Sequence, residues 1–208
     1  LLEAQVHYNG GRYREAIPLY ERFLRSSPED SRAQEVQDLL LLAYWSGVRD
    51  DPGMLKAVDL YPDRPLAAQI RFELGGRAYK AKDCEAAEEQ FQRVASDFPN
   101  SSFVADALYY QGECRLRRQD HLGAADAFRR VAEEHPKSKL AAKARFRRAS
   151  AHFEAGDLEE SARLYGSLSR DKGAGALAAD SAFNRALALS KGERKDAALG
   201  AFEDLLER

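Results

Sequence analysis

The chain has 208 residues, 44% of them hydrophobic and 32% charged, with a formal net charge of −2. That suffices for one sizeable domain or a repeat array, and the apolar share is too high for a disordered chain. The near-neutral balance gives no general case for nucleic acid, and the longest apolar run, Leu39–Trp45, falls far short of the ~20 residues that cross a bilayer.

The opening stretch, LLEAQVHYNGGRYREA, lacks a basic leader and a cleavage site and reads as the middle of a helix. The chain is therefore expected to be a piece of a longer protein. Ala4, Ala16, Tyr20, Phe23 and Pro28 then set out two small positions, two large ones and a helix-stopping proline. The next stretch repeats this order loosely, with Leu41, Tyr44, Ala57, Leu60 and Pro65. Here Gly53 stands where a helix alanine belongs, and Pro52 and Pro62 bracket a short helix around Met54–Tyr61, with Pro52 fitting its first turn after Asp51. This stretch is expected to bury less than its neighbours. It therefore reads as a joint at 51–64, dividing 1–60 from 65–208 within what is otherwise one domain over 1–208.

From there a step of 37 residues governs the chain. Gly75, Gly112, Ala149 and Ala186 hold one small position, and Ala87, Ala124, Ser161 and Ala198 hold a second. Phe91, Phe128, Tyr165 and Phe202 hold a large position, followed by Val94, Val131, Leu168 and Leu205. Pro28, Pro65, Pro99 and Pro136 space the units at 37, 34 and 37 residues. Six units result, the first truncated and the second degenerate.

Each unit reads as two antiparallel helices, near 102–118 and 121–134 in the fourth. Asp83, Asp120 and Asp157 sit where the second helix needs an N-cap, and Glu160 three residues after Asp157 completes a capping-box pattern. Gly112 inside a helix costs about 1 kcal/mol relative to alanine. A close approach of the two backbones at Gly112 and Ala124, with Phe128 and Val131 beside them, accounts for its presence.

These positions resemble the tetratricopeptide repeat, whose small, aromatic and proline residues recur at set offsets. The matches are Gly75 or Gly112, Ala87 or Ala124, Phe91 or Phe128, and Pro99 or Pro136, and they extend over nearly the whole chain. The resemblance implies an all-α, right-handed solenoid of about six helix-turn-helix units. The junctions FPNSSFVADALYYQG and HPKSKLAAKARFRRA further resemble those of bacterial envelope tetratricopeptide proteins. Among these are the barrel-assembly lipoprotein, the Tol–Pal-associated coordinator of division and lipoprotein activators of peptidoglycan synthases. That likeness implies a periplasmic or outer-membrane-associated scaffold for a protein or peptide partner, without cofactor. A regulatory module that activates a partner enzyme such as a peptidoglycan synthase is the alternative.

Such arrays bind chains on a concave face lined by the first helix of each unit. Phe72, Tyr109, Phe146 and Phe183 fall three residues before the small position there. Tyr79, Leu116, Phe153 and Ser190 follow seven residues later, with Tyr8 and Trp45 in the earlier units. Two readings stand: a packed core, or a groove for a peptide in which Tyr79, Tyr109, Phe153, Trp45, Phe72 and Phe146 make contact. Charge is uneven too. Between Arg115 and Arg148, eleven basic residues against four acidic leave +7, so the remainder carries −9. Arg115, Arg117, Arg118, Lys143 and Arg147 thus form either a basic patch for an acidic partner or a solvated flank laced with ion pairs.

Cys84 and Cys114 lie on helices expected to be neighbours, as a disulfide or as two buried thiols. His7, His121, His135 and His152 show no metal-ligand spacing; His7 and His152 share a repeat position where a packing residue is expected. NGGR and DKGAGA read as turns rather than phosphate loops, and the carboxylates form no acid/base pair. Catalysis is not expected, nor is nucleic-acid binding.

Overall fold

The computed structural model describes residues 1–48 and 51–206, and among these all regular structure is helical. The helices are α1 (Leu2–Asn9), α2 (Tyr13–Ser26), α3 (Ala33–Ala43), α4 (Asp51–Leu60), α5 (Pro65–Lys80) and α6 (Cys84–Asp97). There follow α7 (Val104–Arg117), α8 (His121–Glu134), α9 (Ala141–Glu154), α10 (Leu158–Leu168), α11 (Ala176–Lys191) and α12 (Lys195–Leu206). Contacts divide the chain into two compact units, Leu1–Ala81 with Glu89–Val104, and Lys82–Glu88 with Ala105 onward. In the second unit α8 packs on α9, α9 on α10, α10 on α11 and α11 on α12, and α9 also touches α11, so each hairpin rests on the next.

The glycines answer to packing. A Cβ on Gly112 would lie 2.8 Å from Cε1 and Cζ of Phe128, and one on Gly75 would lie 2.7 Å from Cε1 of Phe91. Both rings are fully buried, as are Ala87, Ala124, Val94 and Val131. The aromatic ring of one helix thus rests on the bare backbone of the other. Where serine replaces the second small residue, at Ser161, its hydroxyl donates to the Ala149 carbonyl oxygen at 2.9 Å, so the buried group is satisfied.

Helix ends follow the expected chemistry with one exception. Carboxylates of Asp83, Asp120 and Asp157 accept from the backbone N–H of Ala86, Gly123 and Glu160 at 3.1, 3.0 and 3.4 Å. The reciprocal half of the capping box at Asp157 does not form. Its N–H already donates to the His152 carbonyl at 2.9 Å, and the Glu160 carboxylate turns to Arg163 at 2.6 Å. The junction serines gain a role that periodicity alone did not supply. Ser101 and Ser138 hydroxyls accept from the N–H of Phe103 and Leu140 at 3.3 and 3.1 Å, closing a turn that starts α7 at Val104 rather than 102.

The turns inside five of the hairpins take a left-handed residue. Lys82, Gln119, Gly156 and Glu193, 37 residues apart in sequence, have φ of 65°, 62°, 81° and 60°, and Gly11 repeats this at 71°. Only two of these five places hold glycine.

The second repeat keeps a buried inner face. α3 ends at Ala43 and runs into a π-helical turn, Tyr44–Val48, in which Gly47 abuts Tyr13. Met54, Ala57 and Val58 on α4 are fully buried in the same core as Leu40, Leu41, Ile70 and Leu74. Among the described residues α4 still buries fewer side chains than α3 or α5, as expected, and the two prolines shorten the helix without emptying its inner face.

Candidate functional site

The aromatic column on the first helices splits into packing and surface. Phe72, Tyr109, Phe146 and Phe183 each meet the ring 19 residues on. Centroid distances are 5.7 Å to Phe91, 5.3 Å to Phe128, 5.4 Å to Tyr165 and 6.2 Å to Phe202. Tyr109 is only 4% exposed, wedged between Phe128 and Tyr110, with the Lys143 ammonium 5.1 Å above its ring. Its place in a peptide groove is thereby corrected: the small residue three positions on draws the ring into the hairpin. Phe72, half-buried, also stacks on Phe103 at 5.2 Å, and Phe146 is half-buried. Trp45, in the π-helical turn, packs against the core of the first unit and is likewise half-buried.

The second column keeps surface. Tyr8 makes edge contacts with Tyr13 and Tyr20, and Tyr79 is half-buried. Phe153 borders a cavity of about 220 Å³ with Ser150 and Glu154 of α9, Tyr165 of α10, and Asn184 and Leu187 of α11. Lys191 caps the Phe153 ring at 4.5 Å, and Leu187 is exposed. Ser150 donates to the Phe146 carbonyl at 3.1 Å, so the hydroxyl contact of 2.7 Å has Tyr165 as donor to Ser150. Burial pushes the Tyr165 phenol above its ordinary value, keeping it protonated. Among the described residues the Asn184 side chain has no hydrogen-bond partner.

The preceding repeat explains why this cavity exists. Residues 37 earlier than Ser150 and Asn184 are Glu113 and Arg147, joined by two bonds of 2.7 and 2.8 Å. Arg147 also lies 5.9 Å from the Phe128 centroid. Long paired side chains bridge that junction, whereas a serine and an asparagine leave the next one unbridged.

The basic residues are largely engaged. Arg115 reaches Glu88 at 2.6 Å and the Gly123 carbonyl at 3.1 Å, and Arg118 reaches the other Glu88 oxygen at 3.1 Å. Arg145 pairs with Asp171 at 2.6 Å and Arg148 with Glu133 at 3.2 Å. Glu88, Glu113 and Asp171, which lie outside 115–148, thus meet part of its positive excess, while Glu133 lies within the segment. No separate role for Arg117 emerges.

Cys84 and Cys114 are free, buried thiols. Burial and the neighbouring Cys84 push the Cys114 thiol up to about 12. His7 and His152 do not simply pack: His7 Nδ1 accepts from Arg12 Nε and His152 Nδ1 bonds Asp157, both at 3.0 Å. Among the described residues no group of three metal-ligating side chains converges, and no helix is long and apolar enough to cross a membrane.

Hairpins stacked at a fixed repeat, with side-chain pockets between successive first helices, define a helical-repeat protein of the kind that serves protein–protein interaction. The tetratricopeptide repeat profile matches residues 1–37, 72–139 and 146–208, and the chain belongs to that family. Its members are typically non-catalytic scaffolds. Solved structures agree on the fold. MamA is 17% identical with a TM-score of 0.58, covering 86% of this chain and 92% of its own. TPR-like repeats of a putative kinesin light chain from Podosopora anserina are 14% identical with a TM-score of 0.60, covering 97% and 95%. PilW, a type IV pilus biogenesis factor, is 17% identical with a TM-score of 0.55, covering 100% and 90%. No curated protein matches the sequence.

Proposed function

We propose that this chain is a non-catalytic scaffold of the bacterial cell envelope that holds a partner's peptide segment in the groove between α9 and α11. The single observation that carries the groove is the cavity at the 150/184 junction, set against the ion-paired 113/147 junction one repeat earlier. Phe153 and Leu187 offer apolar walls, Asn184 a free amide for a peptide backbone, and Lys191 and Glu154 a charged rim. The envelope setting is supported by the Pro-x-Ser junctions at Pro99–Ser101 and Pro136–Ser138, which resemble those of envelope tetratricopeptide proteins.

The test uses the repeat's own solution. Ser150→Glu with Asn184→Arg should close the cavity with the ion pair found at 113 and 147. A photo-crosslinking residue at Leu187 should capture one partner in the native cell, and capture should vanish in the closed variant. Equal capture of the same partner from Leu122, exposed on α8, or capture that persists in the closed variant, refutes the reading.

A further inference from the structure

A second concavity, of about 340 Å³, lies between the start of α10 and the end of α11. Leu158, Ala162, Ala188 and Leu189 give it an apolar lining, and Arg163, Arg185 and Arg194 stand around it with Glu159. Arg163 is paired with Glu160 at 2.6 Å. Arg185 and Arg194 make no ion pair or side-chain hydrogen bond among the described residues.

The repeat one step back shows what a structural solution to this place looks like. The residue 37 before Arg185 is Arg148, which lies between Glu133 at 3.2 Å and Glu160 at 3.8 Å. The counterparts of those two carboxylates are Arg170 and Ala197, so both of its partners are lost. Arg185 Nε and Arg170 Nη1 even lie within 3.2 and 3.6 Å of the point where a Cβ on Gly166 would sit, which brings two like charges together. The residue 37 before Arg194 is Asp157, the cap of α10, whereas Arg194 stands at the start of α12. There it forgoes a side-chain cap and sets a cation at the positive end of a helix. Arg163 likewise replaces Asp126. Two acids have become arginines and an arginine has lost its carboxylates, all around one apolar recess.

We infer that this recess binds a peptide segment in which an apolar side chain is flanked by aspartate or glutamate. The apolar residue enters between Leu158 and Leu189. The flanking carboxylates pair with Arg185 and Arg194, as Glu133 and Glu160 pair with Arg148 one repeat earlier. Guanidinium–carboxylate bonds of this kind are the strong class of hydrogen bond. The site shares no residue with the Phe153 groove, so either can fail alone.

A random dodecapeptide display library selected on the intact chain tests this. Enriched peptides should carry an apolar residue flanked by two or more acids. A synthetic copy of one should bind the Arg185→Gln/Arg194→Asp variant at least tenfold more weakly at low salt. The same peptide should bind the Ser150→Glu/Asn184→Arg variant within twofold of the parent chain. Arg194→Asp restores the cap seen at Asp157, so the variant's melting midpoint should hold or rise, separating lost binding from lost fold. Enrichment of no peptide or of peptides without acids, affinity unchanged in the arginine variant, or a DNA oligonucleotide that binds more tightly and displaces the peptide would each overturn the inference.

Discussion

Gly75 and Gly76 are neighbours inside α5, and they permit a controlled test of what the small position does. Both should gain roughly 0.5–1 kcal/mol of helix stability on changing to alanine. A Cβ on Gly76 meets nothing within 4 Å, so Gly76→Ala should realise that gain. A Cβ on Gly75 would sit 2.7, 2.9 and 3.1 Å from Cε1, Cδ1 and Cζ of Phe91. The ring is fully buried and already 5.7 Å from Phe72 by centroid, so it cannot retreat without disturbing a second ring. Overpacking of a tight core costs about 1–3 kcal/mol, so Gly75→Ala should be destabilising by up to about 2 kcal/mol net. The two neighbours should differ by about 1–3 kcal/mol. Urea titration followed by circular dichroism at 222 nm and by Trp45 emission, the only tryptophan and in the same unit, gives both values. In a Phe91→Leu background the smaller side chain should release the clash and Gly75→Ala should turn stabilising. Equal stabilisation by both alanines in the parent chain would refute the packing argument for Gly75 and with it that for Gly112.

At the left-handed turn positions, Gln119→Gly should stabilise by about 0.5–1 kcal/mol and Gly156→Ala should destabilise by about 1 kcal/mol, read from the same titrations. Alkali should weaken the fold: Cys114 titrates at about 12 instead of 9.0, and burial raises the Tyr165 phenol too. The unfolded chain then releases these protons first, so stability falls as pH climbs from about 9 towards 12; a urea midpoint unchanged between pH 8 and 11 contradicts this. For the joint proposed at 51–64, amide hydrogen exchange should be faster at Gly53, 59–61 and 63–64 than in α8, with 54–58 protected by burial of Met54, Ala57 and Val58. Exchange over the whole stretch as slow as in α8 removes the joint.

What could be read from the sequence was whatever repeats. A step of 37 places Gly112 against Phe128, Asp120 at a cap and Pro136 at a junction because each of these is a local requirement of one hairpin. Features that depend on a partner outside the pattern were hidden. Arg71 occupies an interior position of α5 and is 1% exposed, with Nη2 bonding Asp59 at 2.8 Å and Nη1 bonding Gln90 at 3.1 Å. Nothing in the periodicity marks an arginine as core. Tyr109 was ambiguous for a related reason. A helical stripe of aromatics looks the same whether the ring turns inward or outward, and the neighbouring small residue decides. The left-handed turns were concealed because lysine, glutamine and glutamate fill three of them.

The binding surfaces were legible only by subtraction, and that follows from how a repeat array is stabilised. Each hairpin touches only its neighbours, so the interior positions must agree from unit to unit while the surface positions are free to diverge. The earlier unit then serves as an internal control for the later one. Where 113 and 147 hold an ion pair, 150 and 184 hold residues too short to meet across the gap. Where Arg148 lies between two glutamates, Arg185 faces an arginine and an alanine at the equivalent places. Neither change improves folding: one opens a cavity, and the other sets like charges together and leaves a helix uncapped. A bound segment that fills the first and neutralises the second would recover both losses. The last hairpins, rather than the ion-paired middle of the chain, are therefore where ligand binding should raise stability most.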